Sequence, residues 1–370
     1  MSSRRRETLV RRQTIHYNNE NYLHLFSSTP LHMNFSLSLR GGSAAITLLL
    51  AITIAPGVSA ETLVVYSARN EQLVKPIFEA YTRETGVDID FATGDAAMLI
   101  ERLTAEGRNT PADLLMTVDA GELWNAAERG LLRPVESATL ERNIPAYLRD
   151  PGNRWFGFSM RARTIAYSTQ RVAPTELSTY EALAGPEWKG RLCLRTSKKV
   201  YNQSLVATMI AAHGEAKTEQ VVRGWVENLA TDVFANDTQL LEGIAAGQCD
   251  VGIVNSYYYG RILKQRPDFP VKLFWANQGA GGVHVNISGA GVVAHSRKVA
   301  AATRFLEWLS TGTAQQHFAA VNMEFPANPA APIDPLVKSW GDFEPSLINV
   351  AEAGRLQPAA VRLMDRAGYR

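Results

Sequence analysis

The chain has 370 residues, of which 20% are charged and 46% hydrophobic, with a formal net charge of +2. Six arginines and two glutamates lie in residues 1–60, so residues 61–370 carry a net charge of −2. This mixed, near-neutral charge argues against nucleic acid or an anionic membrane as the main partner and favours a small ligand. The length predicts two domains or lobes rather than a single core.

Residues 1–60 have the pattern of a targeting segment. The apolar run AAITLLLAITIAP follows Arg40 and is succeeded by small residues, which is typical of a secretory signal peptide. The run is too short for a membrane span, which needs about 20 apolar residues. We expect cleavage near Ala60, and we expect Met33 rather than Met1 to be the true start. Since no cysteine stands at the cleavage point, the sequence predicts a soluble exported protein without a lipid anchor.

The first part of the remaining chain alternates strand and helix patterns. Residues 62–68 are β-rich, residues 71–86 have apolar positions at helical spacing and a closing glycine, and residues 87–94 form the next strand pattern. This rhythm, which continues with AMLIERLTAEG, ADLLMTV and AGELWNAAERGLL, predicts a parallel sheet with helices on its faces. The long strand predicted at residues 157–168 would leave the first lobe and enter the second.

The second lobe is predicted from a similar series of patterns. Its strands and helices are expected at residues 191–197 (strand), 201–214, 218–230 and 238–248 (helices) and 249–256 (strand). Residues 288–296 are predicted as a return strand to the first lobe. Two further helices are expected within residues 298–321, followed by a Pro-rich loop at residues 326–335 and C-terminal helices.

The two cysteines of the sequence, Cys193 and Cys249, are expected to form one disulfide in an exported chain, with two buried thiols as the alternative. Each begins a predicted apolar strand, and a tyrosine follows eight positions later in both cases, at Tyr201 and Tyr257. If the cysteines are bonded, both phenols emerge near each other at the carboxyl ends of the strands. Open α/β sheets bind their ligands at that edge.

Three successive tyrosines occupy residues 257–259. They cannot all face one site inside a strand, because strand side chains alternate between faces, but two can do so where a strand gives way to a turn or helix. Converging phenolates are hard oxygen ligands suited to a cation such as Fe3+, and their binding would release protons. Ordinary packing, stacking on a sugar or caging of an alkylammonium ligand are alternatives. The dispersed histidines lack the spacing of a zinc site.

Segments along the whole of residues 61–370 resemble the periplasmic ferric-ion-binding proteins of ABC importers, the bacterial transferrins, and especially their cyanobacterial branch. The segments that carry the resemblance are YSARNEQLVKP, GDAAMLIERLTAEG, PADLLMTVDAGEL, SMRARTIAYS, VYNQSLVATMIAAHG, GQCDVGIVNSYYYGR, GGVHVNISGAGVV and AVRLMDRAGYR. The resemblance implies an α/β fold of the two-lobed periplasmic-binding-protein type II, in which each lobe is a mixed, mostly parallel sheet flanked by helices.

The resemblance also implies a ligand set. Tyr201 in VYNQS and the pair Tyr257 and Tyr258 after NS match ferric ligands of the family, whereas Tyr259 matches a variable position and is expected to pack.

The first lobe departs from the family pattern. Related proteins often supply a His, or a His and a Tyr, where this chain has Asn70 and Glu71, so Glu71 is the candidate ligand there, with water or an anion such as carbonate as the alternative. Arg161 and Arg163 could hold a synergistic anion such as carbonate, because guanidinium binds planar oxyanions in a bidentate manner. Salt bridges at the hinge are the alternative role for both arginines.

The sequence therefore predicts a monomeric periplasmic protein without enzymatic activity that captures Fe3+ and delivers it to an ABC transporter permease. Its lobes are expected to comprise residues 61–158 with 289–335, and residues 159–288 with 336–370. The alternatives are the same fold binding phosphate, phosphonate or sulfate, and an exported metal-dependent enzyme. An enzyme would need an acid or base beside an open metal position, and the sequence offers no such constellation.

Overall fold

The computed structural model describes residues 61–370. The predicted signal peptide, its cleavage near Ala60 and the start at Met33 therefore lie outside the described residues. No helix within residues 61–370 combines the length and apolar character needed to cross a membrane.

The described residues contain nine strands and thirteen α-helices. The strands are β1 Thr62–Ser67, β2 Asp88–Thr93, β3 Leu114–Thr117, β4 Phe156–Ser168, β5 Leu192–Cys193, β6 Val251–Asn255, β7 Val271–Phe274, β8 Val285–Val292 and β9 Phe325–Pro326. The helices are α1 Glu71–Thr85, α2 Ala96–Glu106, α3 Ala120–Glu128, α4 Ala138–Asn143, α5 Val200–His213, α6 Glu215–Glu227, α7 Asp237–Ala245, α8 Ser256–Gln265, α9 Val299–Leu309, α10 Gly312–Ala320, α11 Pro335–Lys338, α12 Glu352–Arg355 and α13 Gln357–Arg366.

The strands form a mixed sheet in the order β2-β1-β3-β8-β4-β6-β5, and β7 and β9 also pair with β4. The pairs β1–β2, β1–β3 and β5–β6 are parallel, whereas every strand that pairs with β4 is antiparallel to it. The helices α1, α3, α5 and α8 follow the carboxyl ends of β1, β3, β5 and β6.

Strand β4 joins the two halves of the sheet, as the sequence predicts. Its first part, residues 156–162, pairs with β8 and β9, and its second part, residues 163–168, pairs with β6 and β7. All thirteen residues of β4 are buried. A strand covered on both faces is normally a continuous apolar run. The two arginines in the middle of β4, Arg161 and Arg163, break that rule and mark its crossing segment.

The buried side chains form separate clusters on the two sides of this crossing. One cluster gathers side chains of β1, β3, β8 and the helices α1, α2, α3 and α9. Two others gather side chains of α5, α6 and α13, and of α7, β6 and β7. The exact lobe boundaries given above remain a prediction.

The disulfide between Cys193 and Cys249 is confirmed, with Cα atoms 5.9 Å apart. The predicted strand at residues 191–197 is much shorter in the structure, where β5 contains only two residues. Beyond Cys193 the chain makes one isolated bridge, between Arg195 and Phe234, and then turns. Cys193 therefore ends its strand rather than beginning it.

Candidate functional site

A cavity of about 300 Å³ lies where the helices that follow β1, β3, β5 and β6 converge. Tyr201, Tyr257 and Tyr258 all line it, together with charged side chains from both sides of the crossing. Its lining residues are Ala68, Arg69, Asn70, Leu73, Asp95, Ala96, Val118, Glu122, Arg161, Lys199, Val200, Tyr201, Tyr257, Tyr258, Arg261, Asn322 and Glu324. The three phenols that the sequence singles out are thus brought together, and Arg161 stands with them.

Tyr201 is placed by the start of α5. The side-chain amide of Asn202 donates to the carbonyls of Arg195 and Thr196, at 2.9 and 2.8 Å, and so ties the helix start to the preceding loop. From the far end of the chain, the hydroxyl of Tyr369 donates to the carbonyl of Arg195 at 2.6 Å. The first turn of α5 therefore has a fixed position, and Tyr201 with it.

Tyr257 and Tyr258 occupy the first turn of α8, directly after β6. Their ring centroids are 4.4 Å apart, and the side chain of Asn255 donates to the Tyr257 hydroxyl at 3.4 Å. Both side chains reach the same cavity because the backbone changes from strand to helix between Asn255 and Tyr257. Tyr259 is absent from the lining and packs edge-on against Trp340, with centroids 5.7 Å apart. Of the two roles open to it, packing or lining the cleft, Tyr259 has the position of a packing side chain.

Four cationic side chains surround the phenols. The guanidinium carbons of Arg161 and Arg195 lie 5.3 and 5.5 Å from the ring centroid of Tyr201, and the ammonium of Lys199 lies 5.6 Å from it. Arg261, one helical turn after Tyr257, lies 5.1 Å from that ring. These positive charges favour phenolate over phenol, because an opposite charge nearby stabilises the ionised form.

Burial acts in the opposite direction. It raises the pKa of Tyr201 above its ordinary value, and the charge of Arg161 opposes the shift. Burial and the neighbouring phenols of Tyr201 and Tyr258 raise the pKa of Tyr257 well above its usual range. At neutral pH both Tyr201 and Tyr257 therefore carry their protons, and a ligand that needs phenolates must displace them.

The two arginines of β4 have different surroundings. Arg163 is outside the cavity lining; its guanidinium pairs with Asp237 at 3.0 Å and donates to the Ile253 carbonyl at 3.0 Å. Arg161 lines the cavity and donates through Nη2 to the carbonyl of Val118. The Nη1 atom of Arg161 is buried and has no hydrogen-bond partner among residues 61–370. Both arginines therefore have a carboxylate neighbour, since Nη2 of Arg161 lies 3.9 Å from Asp119, but Arg161 also lines the cavity and retains one unpaired nitrogen.

The start of α3 lines one side of the cavity, called the α3 side below. This side contributes carboxylates rather than phenols. Glu71, the candidate ligand, is exposed and outside the lining, while Asn70 is part of it. The sequence interpretation missed Glu122, in the first turn of α3, and Glu324. Burial, followed by the negative charge of Asp119, raises the pKa of Glu122 to about 8.

Some of the missed residues had a detectable signal. Glu122 lies in the first turn of a predicted helix after a predicted strand, at the edge where such sheets bind ligands. Arg261 follows Tyr257 by four positions and so shares its helix face. Glu324 had no such signal, because only the tertiary fold brings residues 322–324 to the cavity.

The donor set is unusual for a metal site. No group of three or more His, Cys, Asp or Glu side chains suited to a metal ion occurs within the described part of the chain. Any cation held in this cavity would therefore depend on the phenols, whose hard oxygens suit a small, highly charged ion.

The chain is similar to known proteins over most of its length. The model of the bacterial extracellular solute-binding protein family matches residues 77–345. The chain is 42% identical over 338 residues to iron uptake protein A2 of Synechocystis, covering 89% of this chain and 96% of that protein. It is 26% identical over 332 residues to the Fe(3+)-binding periplasmic protein of Serratia marcescens, covering 88% and 95%.

Solved structures agree with these relatives. The Trichodesmium protein IdiA (FutA) in complex with iron and citrate ligands is 42% identical, with a TM-score of 0.81 over 84% of this chain and 100% of that one. The ferric iron-binding protein A of Mannheimia haemolytica in an open conformation is 33% identical, with a TM-score of 0.78 over 84% and 99%. The predicted type II periplasmic-binding-protein fold is thereby confirmed. The chain belongs to the bacterial extracellular solute-binding protein family, alongside its iron uptake and ferric-iron-binding members.

Proposed function

We propose that this protein captures ferric iron in the phenol-lined cavity and carries it through the periplasm to the permease of an ABC transporter. The relatives named for iron uptake and Fe(3+) binding support this function for a chain that aligns with them almost end to end. Export requires a leader, and we propose cleavage near Ala60. We further propose that the protein acts as a monomer whose two lobes meet at the crossing of β4 and β8.

The observation that carries the proposal is the convergence of Tyr201, Tyr257 and Tyr258 on one cavity. Two of these phenols begin α8 and the third begins α5, and the disulfide joins the end of β5 to the residue two positions before β6. Ferric iron is a hard trivalent cation, and its binding offsets the free energy needed to deprotonate the phenols, whereas softer metals favour Cys and His. The donor types in the cavity fit this substrate.

Capture would proceed by exchange of protons for the ion. The phenols of Tyr201 and Tyr257 carry their protons at neutral pH, so each must lose its proton as its oxygen binds iron. The surrounding guanidinium groups of Arg161 and Arg195 reduce the cost of the resulting negative charge. Closure of the lobes would then exclude water and retain the ion.

We propose that Arg161 also positions an anion beside the ion. Its unpartnered Nη1 and the nearby Lys199 provide donors for carbonate or a carboxylate. Arg163 is left out of this role because its guanidinium is occupied by Asp237. An oxyanion as the sole cargo is not favoured, since it would not require three phenols in the cavity lining. We likewise propose binding and transport rather than catalysis.

The test is an absorbance measurement on purified protein loaded with ferric citrate. The wild type should develop a visible phenolate-to-iron charge-transfer band. The double variant Tyr257→Phe with Tyr258→Phe should lose most of the band, because two of the three phenolates are removed while the rings remain. Tyr259→Phe is the matched control and should keep it. A wild-type protein that stays colourless and takes up no iron from ferric citrate contradicts the proposal.

A further inference from the structure

Three carboxylate side chains line the cavity: Asp95, Glu122 and Glu324. They differ in what their oxygens already bind. Glu324 is fully engaged, because Oε2 accepts from Arg69 at 3.1 Å and from Ser159, and Oε1 accepts from Asn322 at 2.6 Å. If Glu324 turned to a ligand instead, the buried Arg69 would lose its counter-charge, which is costly.

Asp95 is also accounted for. It is the N-cap of α2, where its carboxylate accepts from the amide of Ala97 at 3.0 Å, and its side chain is exposed to solvent. An exposed N-cap carboxylate has a sufficient structural role in satisfying the helix end.

Glu122 is the exception. Its Oε2 atom is buried and has no hydrogen-bond partner within the described chain. A buried carboxyl oxygen without a hydrogen-bond partner is costly, and such an atom calls for an explanation, of which a bound ion is one. The orphaned oxygen of Glu122 therefore indicates a partner that arrives from outside.

The surroundings of Glu122 direct it to the cavity. Asp119 caps α3 through the amide of Gly121 at 2.8 Å, and its other oxygen accepts from Ser204 of α5 at 2.9 Å. This contact holds the first turn of α3 against the helix that carries Tyr201. The carboxylate thus enters the cavity from the α3 side, whereas the phenols enter from α5 and α8.

We infer that Glu122 is the carboxylate ligand that binds the ferric ion from the α3 side of the cavity, completing the coordination begun by the three phenols. The inference rests on the proposed function. It replaces Glu71 as the ligand from this side, since Glu71 is exposed and outside the cavity lining. A hard carboxylate oxygen is the chemistry that Fe3+ prefers, and it would neutralise a further charge of the ion.

The experiment compares Glu→Gln substitutions at three positions in protein loaded from ferric citrate. Glu122→Gln removes the anionic ligand with little change of shape, Glu71→Gln tests the exposed rival, and Glu128→Gln is a control on the same helix. The readouts are the release rate of iron to excess EDTA in stopped-flow absorbance and the position of the charge-transfer band.

We expect Glu122→Gln to release iron at least about tenfold faster and to shift the band, because loss of even an indirect ligand partner costs about that much. Glu71→Gln and Glu128→Gln should match the wild type in both readouts. Unchanged release and band position in Glu122→Gln, in a sample that unfolds at or above the wild-type temperature, would overturn the inference. Faster iron release that is confined to Glu71→Gln would also overturn it.

The outcome is separable from the proposed function. If Tyr257→Phe with Tyr258→Phe loses most of the band while Glu122→Gln changes nothing, ferric binding stands and only the role of Glu122 fails. A Lys199→Ala background supplies the remaining control, since Lys199 also lines the cavity. If Glu122 is a ligand, Glu122→Gln should still accelerate iron release in that background. If the acceleration disappears there, Glu122 acts through an ion pair with Lys199, and the inference is refuted.

Discussion

Tyr257 and Tyr258 are neighbours in the chain, yet both side chains reach the same cavity. The sequence shows the reason in advance, because β6 ends at Asn255 and a helix follows immediately. The third tyrosine, Tyr259, is carried by the same helix toward Trp340 instead. The role of Glu122 could not be predicted in this way. Whether a carboxylate has a partner depends on contacts from distant elements, which a single sequence does not reveal.

Glu122 also affects stability in a pH-dependent way. Burial raises the pKa of Glu122 from the ordinary value of 4.5 to about 8 in the folded protein. Between these two pH values the folded state therefore binds a proton that the unfolded state has already released. Stability therefore falls as pH rises through this window. In urea unfolding of the iron-free protein, the stability advantage of Glu122→Gln over the wild type should grow from pH 5 to pH 8. Parallel pH profiles of the two proteins would contradict this.

At the scale of elements, helix α12 lies between α3 and α5, which come from opposite sides of the crossing. The approach to α3 is close enough to require glycine. A Cβ atom added to Gly354 would lie 2.7 Å from the side chain of Trp124, and one added to Gly121 would lie 3.2 Å from the backbone of Gly354. The short helix α12 thus depends on two glycines for its contact with α3.

Gly354→Ala should therefore destabilise the protein by about 1–3 kcal/mol, the usual cost of forcing extra atoms into a packed contact. Urea denaturation of the iron-free protein measures the effect. Gly312→Ala is the matched control at a helix start, because an added Cβ there meets nothing nearer than 3.8 Å. Equal stability of the two variants would show that α12 moves aside without cost.

Several elements match the sequence prediction to within a few residues, among them β1, α1, α5 and β4. These have strong periodicity and clear end signals, such as Gly86 after α1. The sequence predicts β5 to be longer than it is, because this segment lacks a clear end signal. Its apolar residues continue past Cys193, but no neighbouring strand is available there beyond one bridge at Arg195, and a strand requires a partner.

At the scale of the whole molecule, the order of strands could be only partly anticipated. The parallel pairs follow from alternating strands and helices, and the crossing role of β4 follows from its length. The return of residues 322–326 beside β4 could not be predicted, because β9 has two residues and no periodicity. This return brings Glu324 to the cavity. The part of the site that Glu324 forms therefore could not be predicted from the sequence.

Iron affinity should depend steeply on pH. Each phenol that binds the ion releases a proton, so the apparent affinity should fall about tenfold per pH unit for every proton released as the solution is acidified. Since burial raises the pKa of Tyr201, the proton is present at neutral pH in the empty protein. Competition titrations between pH 6 and pH 8, corrected for the competing chelator, should give a slope about one proton shallower for Tyr201→Phe. An unchanged slope would show that Tyr201 keeps its proton.

The contact between Tyr369 and the loop before α5 has a consequence for the timing of assembly. Tyr369 binds the carbonyl of Arg195, and the carbonyl of Arg370 accepts from the amide of Ser197 at 2.9 Å. These residues are more than a hundred positions downstream of Tyr258 and leave the ribosome after it. A chain that still lacks residues 369 and 370 therefore lacks the clamp on Tyr201, so the cavity can take its final form only after these residues have docked.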